Sequence, residues 1–187
     1  MLKGSWRFGL TSIIAFGVWA LPIKMTTIEL YSSITLVFLL TTGFLLYPLI
    51  QGPRKIFNLY KFFLPSFIAY AILWCIGWFG IKGNAGELFG SAAGLAAMVL
   101  MANLLFNKKN NFLACLGVLF LLHTLGYTLG GMLSYAAYGK GLFAPWMEGH
   151  IMLGKLLWGL FYGMGFGAGL GYLLYEAQSE SQSQNLN

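Results

Sequence analysis

The chain has 187 residues, of which 58% are hydrophobic and 9% are charged, and its mean hydropathy is +0.74. A soluble domain carries about 25% charged residues, so this composition excludes an ordinary water-soluble domain and indicates a protein whose solvent is the lipid bilayer. The net charge of +6 comes from basic residues scattered between apolar runs, which is typical of the cytoplasmic loops of membrane proteins and does not favour nucleic-acid binding.

Six apolar stretches approach the roughly 20 residues that a transmembrane helix needs. We therefore predict an all-α integral membrane protein with six transmembrane helices, in which residues 1–175 form a single domain and the polar residues 176–187 form a disordered tail. The predicted spans are Phe8–Ile23, Leu30–Ile50, Phe62–Ile81, Leu88–Phe106, Phe112–Tyr138 and Ile151–Tyr175.

The distribution of Lys and Arg predicts the orientation of these spans, because cytoplasmic loops are enriched in both residues. Six spans place the N-terminal tail, the second loop and the fourth loop on one side, and these segments hold seven of the eleven basic residues. We therefore expect both termini in the cytoplasm. The seven residues are Lys3, Arg7, Arg54, Lys55, Lys61, Lys108 and Lys109.

The first span ends in the segment AFGVWALPIK, residues Ala15–Lys24. This segment resembles the first helix of drug/metabolite transporters, in which a Trp or Gly often precedes a Pro and a Lys. The resemblance covers one helix and favours a transport function.

The first two outer loops share a pattern that suggests an internal repeat. WALPIKMTTIELYSS (Trp19–Ser33) and WFGIKGNAGELFGS (Trp78–Ser91) both contain Trp, then Ile-Lys, then Glu-Leu-aromatic. The third outer loop, Tyr138–His150, also has a Lys before a Glu, at a longer spacing. The pattern is compatible with three parallel helical hairpins, a construction known in membrane carriers. Alternatively, Trp, Lys and Glu are ordinary residues of the membrane interface.

Each of the three outer glutamates, Glu29, Glu87 and Glu148, lies at the start of a helix that runs inward. One interpretation is local, because the positive end of a helix dipole stabilises a carboxylate. The other is functional: three carboxylates at one depth would form an entrance that attracts cations.

The fifth span carries His123 about 11 residues from its start, hence near the middle of the membrane, and Tyr127 lies one turn further on the same face. A neutral histidine that hydrogen-bonds to a neighbouring helix is one interpretation. A titratable group inside a membrane is also a candidate for a proton relay or a solute contact.

The sixth span begins beside Glu148 and His150 and carries Lys155 several residues inside. Lys155 can extend to the outer headgroups, or it can pair with Glu29 or Glu87 or hold an anion. Glu148, His150 and Lys155 could also carry out acid–base chemistry on a lipid headgroup, although no catalytic or metal-binding motif occurs here.

Glycines recur every four residues in two spans, which allows close packing of helices in lipid, either within the chain or between protomers. The sixth span carries Gly159, Gly163, Gly167 and Gly171, and the fourth carries Gly86, Gly90 and Gly94.

Together, these features predict a multi-pass transporter or channel-like protein for a small solute or ion in the plasma membrane, which we take to be a bacterial inner membrane. The alternatives are a non-catalytic subunit or assembly factor of a membrane complex and, ranked last, an enzyme that acts on lipid at the outer face. We expect no cofactor and no metal. The expected partners are membrane lipids and either further copies of the chain or another membrane subunit.

Overall fold

The computed structural model describes residues 1–106 and 111–179, and within these ranges every regular element is helical. Six helices are long, and one is a single turn. They are α1 (Leu2–Ala20), α2 (Thr27–Leu46), α3 (Lys55–Ile76), α4 (Gly83–Phe106), α5 (Phe112–Ala137), α6 (Ala144–Met147) and α7 (Ile151–Gln178). A 3₁₀ turn at Tyr47–Leu49 extends α2, and a π-helical segment at Gly77–Ile81 extends α3.

Five of the long helices, all except α1, are long and apolar enough to cross a membrane, which is consistent with an all-α membrane protein. They are 23 to 28 residues long when the 3₁₀ and π-helical extensions are counted. Helix α1 has 19 residues and carries Lys3 and Arg7 near its start. These two charges leave a shorter apolar segment than the 20 residues or so that a span requires.

The helix boundaries follow from local chemistry. Helix α1 ends before Leu21-Pro22, because the residue before a proline is disfavoured in helical geometry. Helix α2 begins with a capping box, in which the Thr26 hydroxyl accepts from the Glu29 backbone N–H and the Glu29 carboxylate accepts from the Thr26 backbone N–H. Helix α5 is capped by Asn111, whose side chain accepts from the Ala114 backbone N–H.

Helix α7 lies between α1 and α5 and packs along both of them, while α3 pairs with α4 and α2 packs mainly on α1. Glycines define these contacts. On one face of α7, a side chain at Gly159, Gly163, Gly167 or Gly171 would collide with α1 or press tightly against it, and on a second face Gly165 and Gly169 lie against α5. On α4, Gly86, Gly90 and Gly94 lie against the end of α3 and its π-helical extension. In lipid, close backbone approach of this kind is a main source of helix association.

The observed elements differ in detail from the predicted spans. The predicted first span extends to Ile23, whereas α1 ends at Ala20. The short helix α6 between α5 and α7 does not appear among the predicted elements, because four residues are too few to show a periodic pattern. Lys108, Lys109 and residues 180–187 of the predicted tail lie outside the described residues.

A group of packed aromatic rings lies between α1, α2, α3 and α7, on the side of the predicted cytoplasmic surface. Phe8 of α1 contacts Phe166 of α7 at a ring-centroid distance of 4.9 Å, and Phe63 stacks on Phe67 of α3 at 4.1 Å. Phe38 of α2 completes the group through Phe8 and Phe67. We call Phe8, Phe38, Phe63, Phe67 and Phe166 the phenylalanine plug; they lie on α1, α2, α3 and α7.

Candidate functional site

A cluster of polar and aromatic side chains lies between α3, α4, α5 and α7, on the side of the phenylalanine plug that faces the predicted outer surface. Each of the four helices contributes at least one hydroxyl, carboxyl or imidazole group to it. We call the set the polar cluster: Tyr70 of α3, Glu87 and Ser91 of α4, His123 and Tyr127 of α5, and Tyr162 of α7.

Glu87 forms the outer end of the polar cluster. It is the fifth residue of α4 and is half-buried. The Tyr127 hydroxyl donates a hydrogen bond to Glu87 Oε1 at 2.5 Å, a length typical of a strong bond to an ionised carboxylate. Two of the predicted site residues are therefore brought into direct contact, and α5 is tied to α4.

His123 forms the inner end. Only 2% of its surface is exposed, and its Nε2 atom lies 2.8 Å from the Tyr70 hydroxyl oxygen. Its ring also stacks on Tyr127 at a centroid distance of 6.1 Å and packs edge-on against Phe166 of the plug at 5.5 Å. The imidazole thus sits at the boundary between the polar cluster and the plug.

Tyr70 joins three other groups of the cluster. In addition to His123, the Ser91 hydroxyl and the Tyr162 hydroxyl are its hydrogen-bond partners. Because Tyr162 belongs to α7 and Ser91 to α4, the Tyr70 oxygen is the point at which hydrogen bonds from all four helices meet.

Two buried nitrogen atoms at the cluster have no hydrogen-bond partner within residues 1–106 and 111–179. They are His123 Nδ1 and Trp158 Nε1, and the Trp158 ring contacts Tyr127 at 5.9 Å. A buried polar atom without a partner costs about 1–3 kcal/mol. Groups that carry such a cost are often explained by a bound ion, a water molecule or a proton-transfer role.

The other two outer glutamates have separate surroundings. Glu29 is exposed, and its Oε2 atom accepts from the Thr26 backbone N–H at 2.8 Å and from the Thr26 hydroxyl at 2.9 Å. Glu148 is exposed and lies against Gly139, where a side-chain carbon would come within 3.0 Å of its Oε1 atom. The local interpretation by helix capping therefore accounts for Glu29.

Lys155 lies between α7 and the end of α1. Its ammonium group donates to the Trp19 carbonyl at 3.0 Å and lies 4.5 Å from the centre of the Trp19 ring. His150 is exposed and precedes the first turn of α7. Within the described part of the chain no hydrogen bond links Glu148, His150 and Lys155, so the geometry gives no support to an acid–base site built from these three residues.

Sequence reasoning missed Tyr70, Ser91 and Tyr162, which contribute half of the polar cluster. Each lies inside an apolar run, where a tyrosine or a serine does not interrupt the hydropathy signal. One signal was available: Ser91 follows Glu87 by four residues and therefore shares its helix face. Helix partners, however, are needed to recognise Tyr70 and Tyr162 as members of the same group.

No three His, Cys, Asp or Glu side chains in the described ranges lie together in a way that could hold a metal ion. Comparisons of the chain with protein-family models, with curated proteins and with solved structures give no match.

Proposed function

We propose that this protein transports a small cation across the membrane and that Glu87, Tyr127 and His123 form the site through which the cation passes. The observation that carries the proposal is the half-buried Glu87 carboxylate, which is bonded to Tyr127 inside a bundle that also buries His123. Ionisable groups inside membrane helices are costly and typically mark ion or proton pathways.

In this proposal the polar cluster opens towards the outer surface and is closed at its inner end. Glu87 is half-buried near the start of α4, whereas His123 contacts the closed phenylalanine plug. Transport therefore requires the plug to open, which favours a carrier or a gated pathway over an open pore.

We also propose the predicted number of spans and the predicted orientation of the chain in the membrane. We include α1 as the sixth span although its apolar segment is short, because it packs along α7, which is itself long and apolar enough to cross the membrane. Both termini face the cytoplasm of a bacterial cell. Glu29 and Glu148 add negative charge at the outer entrance without contacting the polar cluster. The three-hairpin repeat and an oligomeric state stay predictions.

Voltage-driven flux tests the proposal whichever small cation is carried. The purified full chain is reconstituted in liposomes, a potassium gradient with valinomycin sets a membrane potential, and a voltage-sensitive dye follows its decay. We expect faster decay than in empty liposomes. Glu87→Gln and His123→Ala should slow it by about tenfold, on the order expected for loss of a group that acts directly on the moving charge.

Glu148→Gln is the matched control, because it removes the same charge from an exposed position. Surface charges are strongly screened in salt, so this variant should change the rate by less than about twofold. If the wild-type protein does not accelerate the decay, or if Glu87→Gln and His123→Ala both leave it unchanged while remaining folded, the assignment of the site is wrong.

A second candidate function is a subunit of a larger membrane complex, and the surface of α2 favours it. This helix packs mainly on α1 and leaves large side chains uncovered, among them Ile28, Tyr31 and Phe44. Such a surface suits either lipid or a partner helix. Purification under mild conditions separates the two functions: a stoichiometric second protein supports the subunit, and the chain alone or with copies of itself supports transport.

A further inference from the structure

We infer that the cation handled by the polar cluster is the proton, and that Ser91, Tyr70 and His123 relay it from Glu87 to the middle of the membrane. This inference rests on the proposed cation transport and names its cargo. It is carried by the hydrogen bonds of the cluster and by the buried Nδ1 atom of His123.

The relay groups lie at successive depths. At 1.5 Å per residue, Glu87 lies about 28 Å and Ser91 about 22 Å from the end of α4 at Phe106. His123 lies about 16 Å from the start of α5 at Phe112, on the same side of the bundle. The apolar core of a bilayer is about 30 Å thick, so His123 is close to its middle. The groups thus lead from the outer surface inward.

The connections between these groups are either present or short. Ser91 and Tyr70 are hydrogen-bonded, and Tyr70 lies 2.8 Å from His123 Nε2. Glu87 and Ser91 are four residues apart on one helix face, where Cβ atoms are about 5–6 Å apart, a gap that one water molecule between the two side chains can close.

Tyr70 can hold its proton in two arrangements. In the first, its hydroxyl donates to His123 Nε2 and accepts from Ser91 and Tyr162. In the second, His123 Nε2–H donates to the Tyr70 oxygen, and the Tyr70 hydroxyl donates to Ser91 or Tyr162. Exchange between these arrangements moves a proton along the chain without displacing any heavy atom, which suits a tightly packed site.

The transfer step conserves both protons and charge. Tyr70 gives its hydroxyl proton to His123 Nε2, and Ser91 gives a proton to the Tyr70 oxygen. Ser91 regains a proton from the bridging water, which takes one from the Glu87 carboxyl after the ionised carboxylate has bound a proton from the outer solution. The net result is an ionised Glu87 and an imidazolium at His123. The imidazolium then releases its Nδ1 proton once an acceptor reaches that atom, leaving neutral imidazole.

The groups that face His123 support this charge movement. Tyr70 faces it from α3, Tyr162 from α7 and Tyr127 from its own helix, and all three are uncharged when protonated. Glu87 of α4 is connected to His123 indirectly, through the hydrogen bond with Tyr127. Its carboxylate would serve as the counter-charge of the imidazolium. The ammonium group of Lys155, the charged residue of α7 nearest to Tyr162 in the described sequence, is bonded to Trp19 instead.

The rings of the phenylalanine plug border the inner end of the relay. Beyond His123 lie the rings of Phe166 and Phe67, which offer no proton acceptor. The next candidate on α3 is the Ser66 hydroxyl, which is buried, has no hydrogen-bond partner in the described ranges, and lies one turn inward of Tyr70. A shift of the plug that brought an acceptor such as Ser66 to Nδ1 would complete the path.

The test follows proton entry directly. Liposomes of phosphatidylcholine and phosphatidylglycerol carry the full chain and a trapped pH-sensitive dye, and a potassium diffusion potential drives protons inward. We expect acidification with wild type. Tyr70→Phe, which removes only the hydroxyl, should slow it by about tenfold or more, as should His123→Gln. Tyr135→Phe, at an exposed position of α5, is the control and should leave the rate unchanged.

The outcomes separate this inference from the proposed function. If the potential decays through the wild-type protein but the interior does not acidify, another cation is carried and the relay is wrong, while the transport proposal stands. Acidification that Tyr70→Phe does not slow also refutes the relay. If neither signal responds, both proposals fail. A size-exclusion profile and melting temperature for each variant exclude misfolding, and Ser91→Ala gives a second break in the relay should Tyr70→Phe prove unstable.

Discussion

Lys155 shows how this protein accommodates a full charge inside a membrane helix. The Trp19 carbonyl belongs to the last turn of α1, where backbone carbonyls have no partner within the helix. The ammonium group supplies that partner and lies over the Trp19 ring. A cation at a helix C-terminus is also favoured by the helix dipole. Lys155 therefore fastens α1 to α7.

We predict that Lys155→Met destabilises the protein, because it removes the hydrogen bond to Trp19 and the cation–π contact but keeps an apolar stem. The expected loss is about 1–2 kcal/mol of unfolding free energy. Unfolding in mixed detergent measures it. Lys24→Met, at an exposed lysine of the α1–α2 connection, is the control and should change stability by less than about 0.5 kcal/mol. Equal stability of the two variants would contradict this role for Lys155.

Thr26 and Glu29 form a second well-defined interaction between residues, at the start of α2. Thr26→Ala should lower the unfolding free energy by about 1 kcal/mol, because it removes the side-chain cap of α2. Thr27→Ala, one residue further, keeps the cap and is the comparison. The same detergent unfolding measurement applies, and a larger loss from Thr27→Ala would show that the capping box does not hold this end of α2.

Among the helices, α7 makes the most extensive contacts, along α1 and along α5. Its glycines bring the backbones of α1 and α5 close on two different faces, so that Gly167 lies against Gly4 of α1 and Gly165 against Gly126 of α5. Pairs of facing glycines allow the shortest distance between two helices. The periodicity of these glycines is evident in the sequence, but the helix that each face contacts is not.

A side chain placed between α1 and α7 should separate them. We expect Gly167→Ala to destabilise the protein by about 1–3 kcal/mol, because its Cβ would overlap the Gly4 carbonyl and the Phe8 side chain. Gly117→Ala is the matched control on α5, where the added carbon meets no atom within 4 Å of the described structure. It should be neutral or stabilise by about 0.5–1 kcal/mol. If Gly167→Ala and Gly117→Ala lower the melting temperature equally, close packing of α7 on α1 at Gly167 is not what stabilises the protein.

At the scale of the whole molecule, the proposed topology predicts which loops face outward. In an Asn84→Cys variant, the new thiol at the start of α4 should react with a membrane-impermeant maleimide on intact cells. Lys55→Cys, at the start of α3, should react only after the cells are permeabilised. Both positions are exposed in the structure, so accessibility depends on the side of the membrane. Labelling of position 55 on intact cells would show that the orientation is the reverse of the proposed one.

Much of the architecture could be predicted from the sequence, because a long apolar run has few alternatives to a helix in lipid. The positions of α2, α3, α4, α5 and α7 agree with predicted spans to within a few residues at most ends. The polar cluster was harder to predict from the sequence. Glu87, His123 and Tyr127 stand out as polar groups in apolar surroundings, but their contact depends on how α4 and α5 are rotated against each other.

The rest of the cluster depends on tertiary packing. Tyr70 belongs to the site because α3 pairs with α4, and Tyr162 because α7 passes beside α5. Neither pairing follows from apolar periodicity, since these helices are apolar on every side. The two glycine faces of α7 are the nearest thing to a sequence signal for these pairings. They indicate that α7 packs against two helices but not which two.

The packing of α1 against α7 has a consequence for how the protein is made. Synthesis proceeds at about 5–20 residues per second, so on the order of ten seconds separate the emergence of Ala20 from that of Ile151. During this interval α1, the least apolar of the long helices, has only α2 as a substantial neighbour. During synthesis α1 therefore has to stay at the translocon or the bilayer surface until α7 arrives. A ribosome that stops before α7 would release a product whose N-terminal segment lacks its main support and is open to membrane proteases.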